Sequence, residues 1–289
     1  MARQKKPVIA FVYDFDGTLA PGNMQEYDFF PKLGIAPAKF WKMAKTLARK
    51  HDIDDVLAYM TLMLDKSNAS EDVKVTRQAF RKYGRRVTLF KGVASWFNRF
   101  NARVNEQGLI PQHFIVSSGI REMIEGTPIR KAFKRIFASA FIYEKHGVAQ
   151  APGLAVNYTT KTQFLFRINK GVLDVWDNTR INDYVPRSDR VVPFERMIYF
   201  GDGLTDVPCM KLVKDQGGFS IAVYTPGVKQ AMESALKLVR EDRTHCAVPA
   251  DYREGRALDQ IVTAIVKSIA AQYKVQRLMA PTFHAAAKR

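Results

Sequence analysis

Asp14 and Asp16 stand two residues apart where the apolar run VIAFVY (residues 8–13) gives way to DFDGTLA. Residues two apart on a strand point the same way, so this spacing aims two carboxylates at one small volume. On its own an Asp-x-Asp pair commonly caps a helix or shapes a turn. Three further stretches change that balance. IVSSG places Ser117 at the end of a second apolar run, TTKTQFLFRI places Lys161 at the start of a helical pattern, and MIYFGDGLTD places Asp202 and Asp206 after a third run. Ser117 could be a helix cap and the GDG stretch a plain turn. Lys161 is harder to dismiss, because a cation in the first turn of a helix opposes the macrodipole at a cost of about 0.3–1 kcal/mol. A fixed negative charge beside it would account for its position.

The elements that must hold these groups follow from the pattern of the chain. Strand-like runs at 8–13, 113–116, 197–200 and 219–223 alternate with helical stretches, which predicts a mostly parallel sheet covered on both faces. In open sheets of this kind ligands bind beyond the carboxyl ends of the strands, where Asp14, Ser117 and Asp202 fall. Residues 138–160 read as two short strands around a glycine-containing turn. Between the first two motifs, about a hundred residues carry little strand signal, and AKFWKMAKTLARKH and DDVLAYMTLMLD have the spacing of amphipathic helices. The expected organisation is a core of residues 1–20 and 89–278, a helical cap at 21–88 and a flexible tail at 279–289. Residues 174–190 form an extension read as a surface elaboration.

Composition narrows the setting. With 289 residues, 47% hydrophobic and 25% charged, the chain has the make-up of a globular α/β domain with an inserted piece. Its apolar runs are far shorter than the roughly 20 residues of a membrane-spanning helix, so no membrane insertion is expected. The basic start leads into acidic residues without a small-residue cleavage site, unlike a secretory signal, which points to the cytoplasm. Cys209 and Cys246 match no zinc spacing and are expected as free thiols. The net charge of +17 favours anionic partners, with phosphorylated metabolites and nucleic acids both open. Residues 31–100 hold 15 Lys and Arg against 6 Asp and Glu, densest in RQAFRKYGRR (Arg77, Arg81, Lys82, Arg85, Arg86), either a solvated helix face or an anion-attracting surface.

Taken in order, DFDGT, the serine of IVSSG, the lysine of TTKTQ and GDGLTD resemble the haloacid dehalogenase superfamily, and specifically its phosphatases. The hairpin-like stretch before Lys161 is similar to phosphoserine phosphatase relatives, whereas the cap offers no match that would carry over an amino-acid phosphate substrate. The resemblance implies a Rossmann-like doubly wound parallel sheet with an inserted α-helical cap. It implies Asp14 as nucleophile, Asp16 as general acid and base, and Ser117, Lys161 and Gly119 as phosphate binders. It further implies magnesium held by Asp14, Asp202 and the Asp16 backbone carbonyl, with Asp206 in support and Thr18 holding the Asp16 carboxylate by a hydrogen bond.

Those roles are chemically coherent. An aspartate of reference pKa about 3.9 is already an anion at neutral pH and needs charge compensation rather than a base before it attacks phosphorus. Magnesium accepts few carboxylates and keeps waters, which suits a site of this donor set. The expected activity is magnesium-dependent hydrolysis of a phosphate monoester through an aspartyl phosphate. A nucleic-acid-end phosphatase, a non-enzymatic anion or nucleic-acid binding protein and, less favoured, a phosphomutase stand as alternatives. The second aspartate argues against dehalogenation.

Overall fold

Alternation along the first strand sets the layers of the molecule. In the computed structural model, which describes residues 6–70 and 73–286 with side chains to residue 279, β1 (Val8–Tyr13) buries Ala10 and Val12 on one face of the sheet and Ile9, Phe11 and Tyr13 on the other. It is followed by α1 (Phe29–Leu33), α2 (Pro37–His51), α3 (Asp55–Asn68), α4 (Arg77–Gly84) and α5 (Val93–Glu106). Next come β2 (Ile110–Ile120), α6 (Arg121–Gly126), β3 (Phe133–Tyr143), β4 (Ala149–Leu154), α7 (Tyr158–Lys170) and α8 (Asn178–Asn182). The chain closes with β5 (Met197–Gly201), α9 (Val207–Asp215), β6 (Phe219–Tyr224), α10 (Lys229–Arg240), β7 (Cys246–Pro249) and α11 (Ala257–Ala286).

The strands form one seven-stranded sheet in the order β4-β3-β2-β1-β5-β6-β7, parallel throughout except for β4, which pairs antiparallel with β3 as the expected hairpin. The order reverses between β1 and β5. Connections from β1 build outward through β2 and β3, and those from β5 build the other way, which leaves a crevice at the carboxyl ends of these two central strands. One face is covered by α7, α9 and α10 through Phe164, Leu165, Ile168, Met210, Val213 and Leu238. The other is covered by α5 and α11 through Trp96, Phe100, Val104, Val262 and Ile269. The fold is therefore the doubly wound α/β arrangement with helices inserted after the first strand.

Those inserted helices form for local reasons and are then fixed by packing. In α2, Pro37 occupies the first turn and Phe40, Ala44 and Ala48 recur every four residues as its buried stripe. Asp54 caps α3, its side chain accepting from the amides of Val56 (2.9 Å) and Leu57 (3.1 Å). No break in packing marks residues 21 and 88: Phe29, Phe30, Phe40, Met60 and Phe80 belong to the same apolar cluster as Phe11 and Tyr13. Where α4 crosses α6 the backbones touch. A Cβ on Gly84 would lie 1.8 Å from the Met123 carbonyl oxygen, and one on Gly126 would lie 2.0 Å from that of Arg81.

One expectation changes, and two segments gain detail. The flexible tail expected at 279–289 is instead a continuation of α11 to Ala286; residues 287–289 lie outside the described residues. The extension at 174–190 is tied to the body of the molecule at its start: buried Arg167 of α7 donates to the carbonyls of Asp174 (2.7 Å), Val175 (2.9 Å) and Asp177 (3.1 Å). The densest basic run is partly neutralised, with Arg77 facing Glu122 at 3.6 Å and Arg81 paired to Glu125 at 2.7 Å, both on α6. Cys209 is buried, Cys246 is half-buried, and both are free thiols. Among the described residues no helix is long and apolar enough to cross a membrane.

Candidate active site

Asp14 leaves the carboxyl end of β1 with its amide bonded to the Phe200 carbonyl of β5 (2.9 Å), so the backbone pairing of the two central strands continues into the site. The next residues turn sharply. Gly17 adopts φ +74°, and a Cβ there would fall 2.0 Å from Asp202 Oδ2, so only glycine lets the β1 turn and the loop after β5 meet. The result is a cleft of about 570 Å³ lined by Asp14, Asp16, Ser117, Gly119 and Asp202 from the sheet side, and by Gln25, Trp41 and Tyr59 from the inserted segment.

Lys161 lies under the floor of this cleft and is fully buried. The Asn157 amide donates to Thr160 Oγ1 (2.7 Å) at the start of α7, and one residue later the Lys161 side chain runs inward. Its Nζ is 2.8 Å from Asp206 Oδ1, 3.2 Å from Asp14 Oδ1 and 3.2 Å from Thr205 Oγ1. The negative charge implied by its unfavourable place in the helix is thus two carboxylates. Burial alone would push its pKa down, but the charges of Asp14 and Asp206 overcome that and hold it charged.

Asp206 spends both oxygens internally. Oδ1 accepts from Lys161 and from Tyr199 Oη (2.7 Å), while Oδ2 accepts from the amides of Asp202 (3.2 Å) and Gly203 (3.3 Å). It orients the loop that carries Asp202. The Asp202 carboxylate itself accepts no hydrogen bond among the described residues, and burial followed by the charges of Asp206 and Asp14 raises its pKa well above the usual range. Carboxylate oxygens of Asp14, Asp202 and Asp206 gather within 4.8 Å of one another against the single charge of Lys161. Three carboxylates and one ammonium leave an excess of negative charge with oxygen donors, the environment a hard divalent cation fits. Because Asp206 is already engaged, Asp14 and Asp202 are the side chains free to hold it.

The two aspartates of the first motif are separated by their surroundings. Burial, then the charge of Asp206, raises the Asp14 pKa to about 6 despite Lys161. Burial, then the charge of Asp14, pushes Asp16 well above the ordinary carboxyl range. Asp16 is held by the Met24 amide, which donates to Oδ1 at 2.9 Å. Thr18 does not do this: its buried Oγ1 has no hydrogen-bond partner, because the tight turn after Asp16 directs the carboxylate toward the Met24 backbone instead. The turn is also clasped from behind by Tyr252 Oη, which donates to the Thr18 carbonyl (2.7 Å).

Ser117 is buried at a register shift in β2, where its Oγ accepts from the Gly119 amide (3.1 Å). That amide is therefore engaged by Ser117. The missing side chain of Gly119 matters more, since a Cβ would lie 2.2 Å from Met24 Cε and 2.8 Å from Asp16 Oδ2. Motif reading did not find Tyr199, Thr205, Gln25, Trp41 or Tyr59. Tyr59 Oη donates to the Ser118 carbonyl (2.6 Å) and ties α3 to the end of β2. The signal available was slight: Trp41 and Tyr59 sit in helical repeats that read as apolar stripes, and Tyr199 in a strand that reads as core.

The haloacid dehalogenase-like hydrolase family model matches residues 11–211, which span Asp14, Asp16, Ser117, Lys161, Asp202 and Asp206. An uncharacterized protein of Borreliella burgdorferi is 26% identical over 281 residues, covering 88% of this chain and 95% of its own. Among solved structures, a HAD family hydrolase from Salmonella enterica serovar Typhi superposes with TM-score 0.55 at 16% identity, over 90% of this chain and 72% of the other. A phosphoserine phosphatase carrying a phospho-aspartyl intermediate analogue superposes with TM-score 0.52 at 15% identity, over 90% and 99%. With the family model covering more than half of its length and its motif residues converging on one cleft, the chain belongs to the haloacid dehalogenase-like hydrolases.

Proposed function

We propose that this hydrolase is a magnesium-dependent phosphatase that cleaves a phosphate monoester through an aspartyl phosphate on Asp14. The observation that carries the reading is the separation of two neighbouring carboxyls. Asp14 is ion-paired to a buried lysine at 3.2 Å, whereas Asp16 lies outside that lysine's contacts and is held by the Met24 amide. A pair whose surroundings drive the two members apart is suited to one nucleophile and one acid.

An Asp14 oxygen attacks phosphorus while the bond from phosphorus to the leaving oxygen breaks, and Asp16 gives its proton to that oxygen. Asp16, now a carboxylate, takes a proton from water as the water oxygen attacks phosphorus and the bond to Asp14 breaks. Inorganic phosphate leaves and Asp16 is protonated again. Lys161 and Ser117 offer donors to the phosphoryl oxygens, where the charge-assisted bond from Lys161 contributes most. Asp14, Asp202 and the Asp16 backbone carbonyl would hold magnesium, with Asp206 keeping the Asp202 loop in place. When bound, that ion supplies charge neutralisation between the attacking carboxylate and the phosphate.

The inserted segment at 21–88 would select the leaving group, since Gln25, Trp41 and Tyr59 line the cleft opposite the catalytic aspartates. Two free thiols suit a reducing compartment, and we place the enzyme in the cytoplasm. Hydrolysis of p-nitrophenyl phosphate with magnesium tests the reading. Asp14→Asn should keep the fold and lose turnover, whereas Asp16→Asn should form a persistent acyl phosphate detectable by rapid quench. Residual activity of Asp14→Asn above a few per cent of wild type would refute the assignment of the nucleophile.

A further inference from the structure

Trp41 borders more than the catalytic cleft. The same side chain walls two smaller depressions, one with Lys45, Asp55, Tyr59 and Ser118 in its walls, the other with Lys42, Lys45, Thr46 and Arg49. Lys45 is common to both and Trp41 to all three, so the cleft and the outer face of α2 adjoin. From Trp41 to Arg49 the helix rises about 12 Å.

The charges on this face are of a different kind from those on α4. Phe40, Ala44 and Ala48 take the buried side of α2, which turns Lys42, Lys45 and Arg49 outward as an exposed stripe at helical spacing. Arg77 and Arg81 of α4 meet carboxylates of α6, but Lys42, Lys45 and Arg49 have no acidic partner within ion-pair distance among the described residues. Asp55 is the one carboxylate in the walls of the two depressions. Stability does not explain the arrangement. Like charges three and four residues apart weaken a helix. The macrodipole rewards cations only in the last turn, which holds Arg49 but neither Lys42 nor Lys45. An anionic ligand would account for them.

We propose that the substrate is a phosphate monoester whose leaving group carries a second phosphate, bound by Lys42, Lys45 and Arg49 on the α2 face beyond Trp41. The inference rests on the phosphatase reading for the first phosphate and adds the site for the second. Trp41 is fixed as the divider between them, since its Nε1 donates to Glu26 (2.7 Å) and its ring packs edge-on against Phe40 and Tyr59. A small bisphosphorylated metabolite and the phosphorylated end of a polynucleotide present the same chemistry to this stripe.

The test compares p-nitrophenyl phosphate, a nucleoside 3′,5′-bisphosphate and a 5′-phosphorylated oligothymidylate at low salt, using wild type, the triple variant Lys42→Gln/Lys45→Gln/Arg49→Gln, and Lys42→Arg/Lys45→Arg. The ratio of kcat/KM on the second or third probe to that on the first should fall about tenfold in the triple variant and hold in the charge-retaining one. Preference for the oligothymidylate, with log affinity falling linearly in log salt, identifies a polynucleotide end; equal preference for the bisphosphate identifies a small metabolite. A ratio that changes less than about twofold on both probes overturns the proposal. If wild type hydrolyses none of the three, the phosphatase reading fails. Equilibrium dialysis of the bisphosphate against wild type and the triple variant still decides the stripe, and equal binding to both refutes it.

Discussion

Replacing Lys161 by methionine keeps an unbranched side chain of similar length and removes the only positive charge among the described residues in contact with Asp14 and Asp206. Both oxygens lie within 3.2 Å of Nζ, and neither Lys161 nor Asp206 is exposed to water. At that separation each pair is worth on the order of 5 kcal/mol at an effective dielectric constant near 20. The carboxyls left behind can protonate, which limits the loss to the range found when one partner of a buried pair is removed, about 3–5 kcal/mol. Lys161 lowers the Asp14 pKa, so its loss shifts the attacking carboxyl further toward the protonated form. The variant should therefore unfold in urea about 3–5 kcal/mol below wild type when measured in chelator. Its turnover should fall at least about a hundredfold. Added magnesium should raise the unfolding midpoint of the variant more than that of wild type, since the ion meets carboxylates that have lost their internal countercharge. A metal-free stability within about 1 kcal/mol of wild type would refute the assignment of Lys161 as the countercharge of the nucleophile.

Thr18→Val should leave turnover within about threefold and hold or raise stability by up to about 1 kcal/mol, because it replaces a buried hydroxyl without a partner by a methyl of the same shape. A large drop in kcat would restore Thr18 as the residue that holds Asp16. Gly17→Ala should abolish activity and weaken magnesium binding measured by calorimetry, since its methyl would overlap the Asp202 carboxylate in a left-handed turn; wild-type magnesium affinity would show that the two loops are not in contact. His113 supplies a pH dependence. It is buried in a chain from Trp96 Nε1 to Tyr13 Oη (2.9 Å), to His113 Nδ1 (3.1 Å), and from Nε2 to Asn101 Oδ1 (3.0 Å), and burial lowers its pKa to about 3. Between about pH 6.5 and 3 the unfolded chain binds the proton that the folded one refuses, so stability falls with pH by up to about 1.4 kcal/mol per unit. Denaturation of His113→Gln across that range should show a shallower slope, and an unchanged slope would place the proton uptake elsewhere.

The residues proposed to be catalytic were legible in the sequence because each is tied to the end of a strand. An apolar run that stops at Asp14, another that carries Ser117 and a third that stops before Asp202 state both the strand and its carboxyl end, and parallel order brings those ends together. Lys161 was legible for a different reason: its misfit with the helix dipole demanded a partner, and the fold supplies Asp14 and Asp206. What the sequence could not state is which polar groups become each other's partners. The Thr18 hydroxyl looks suited to hold Asp16, yet the Met24 amide does so, because the path of the inserted segment brings that amide to the carboxylate. The basic run at 77–86 looks denser than the one on α2. Even so, Arg77 and Arg81 are answered by Glu122 and Glu125 of α6, while Lys42, Lys45 and Arg49 line the depression beside the cleft unanswered. Charge is written residue by residue, but its availability depends on contacts between segments forty or more positions apart, and only the tertiary structure decides those.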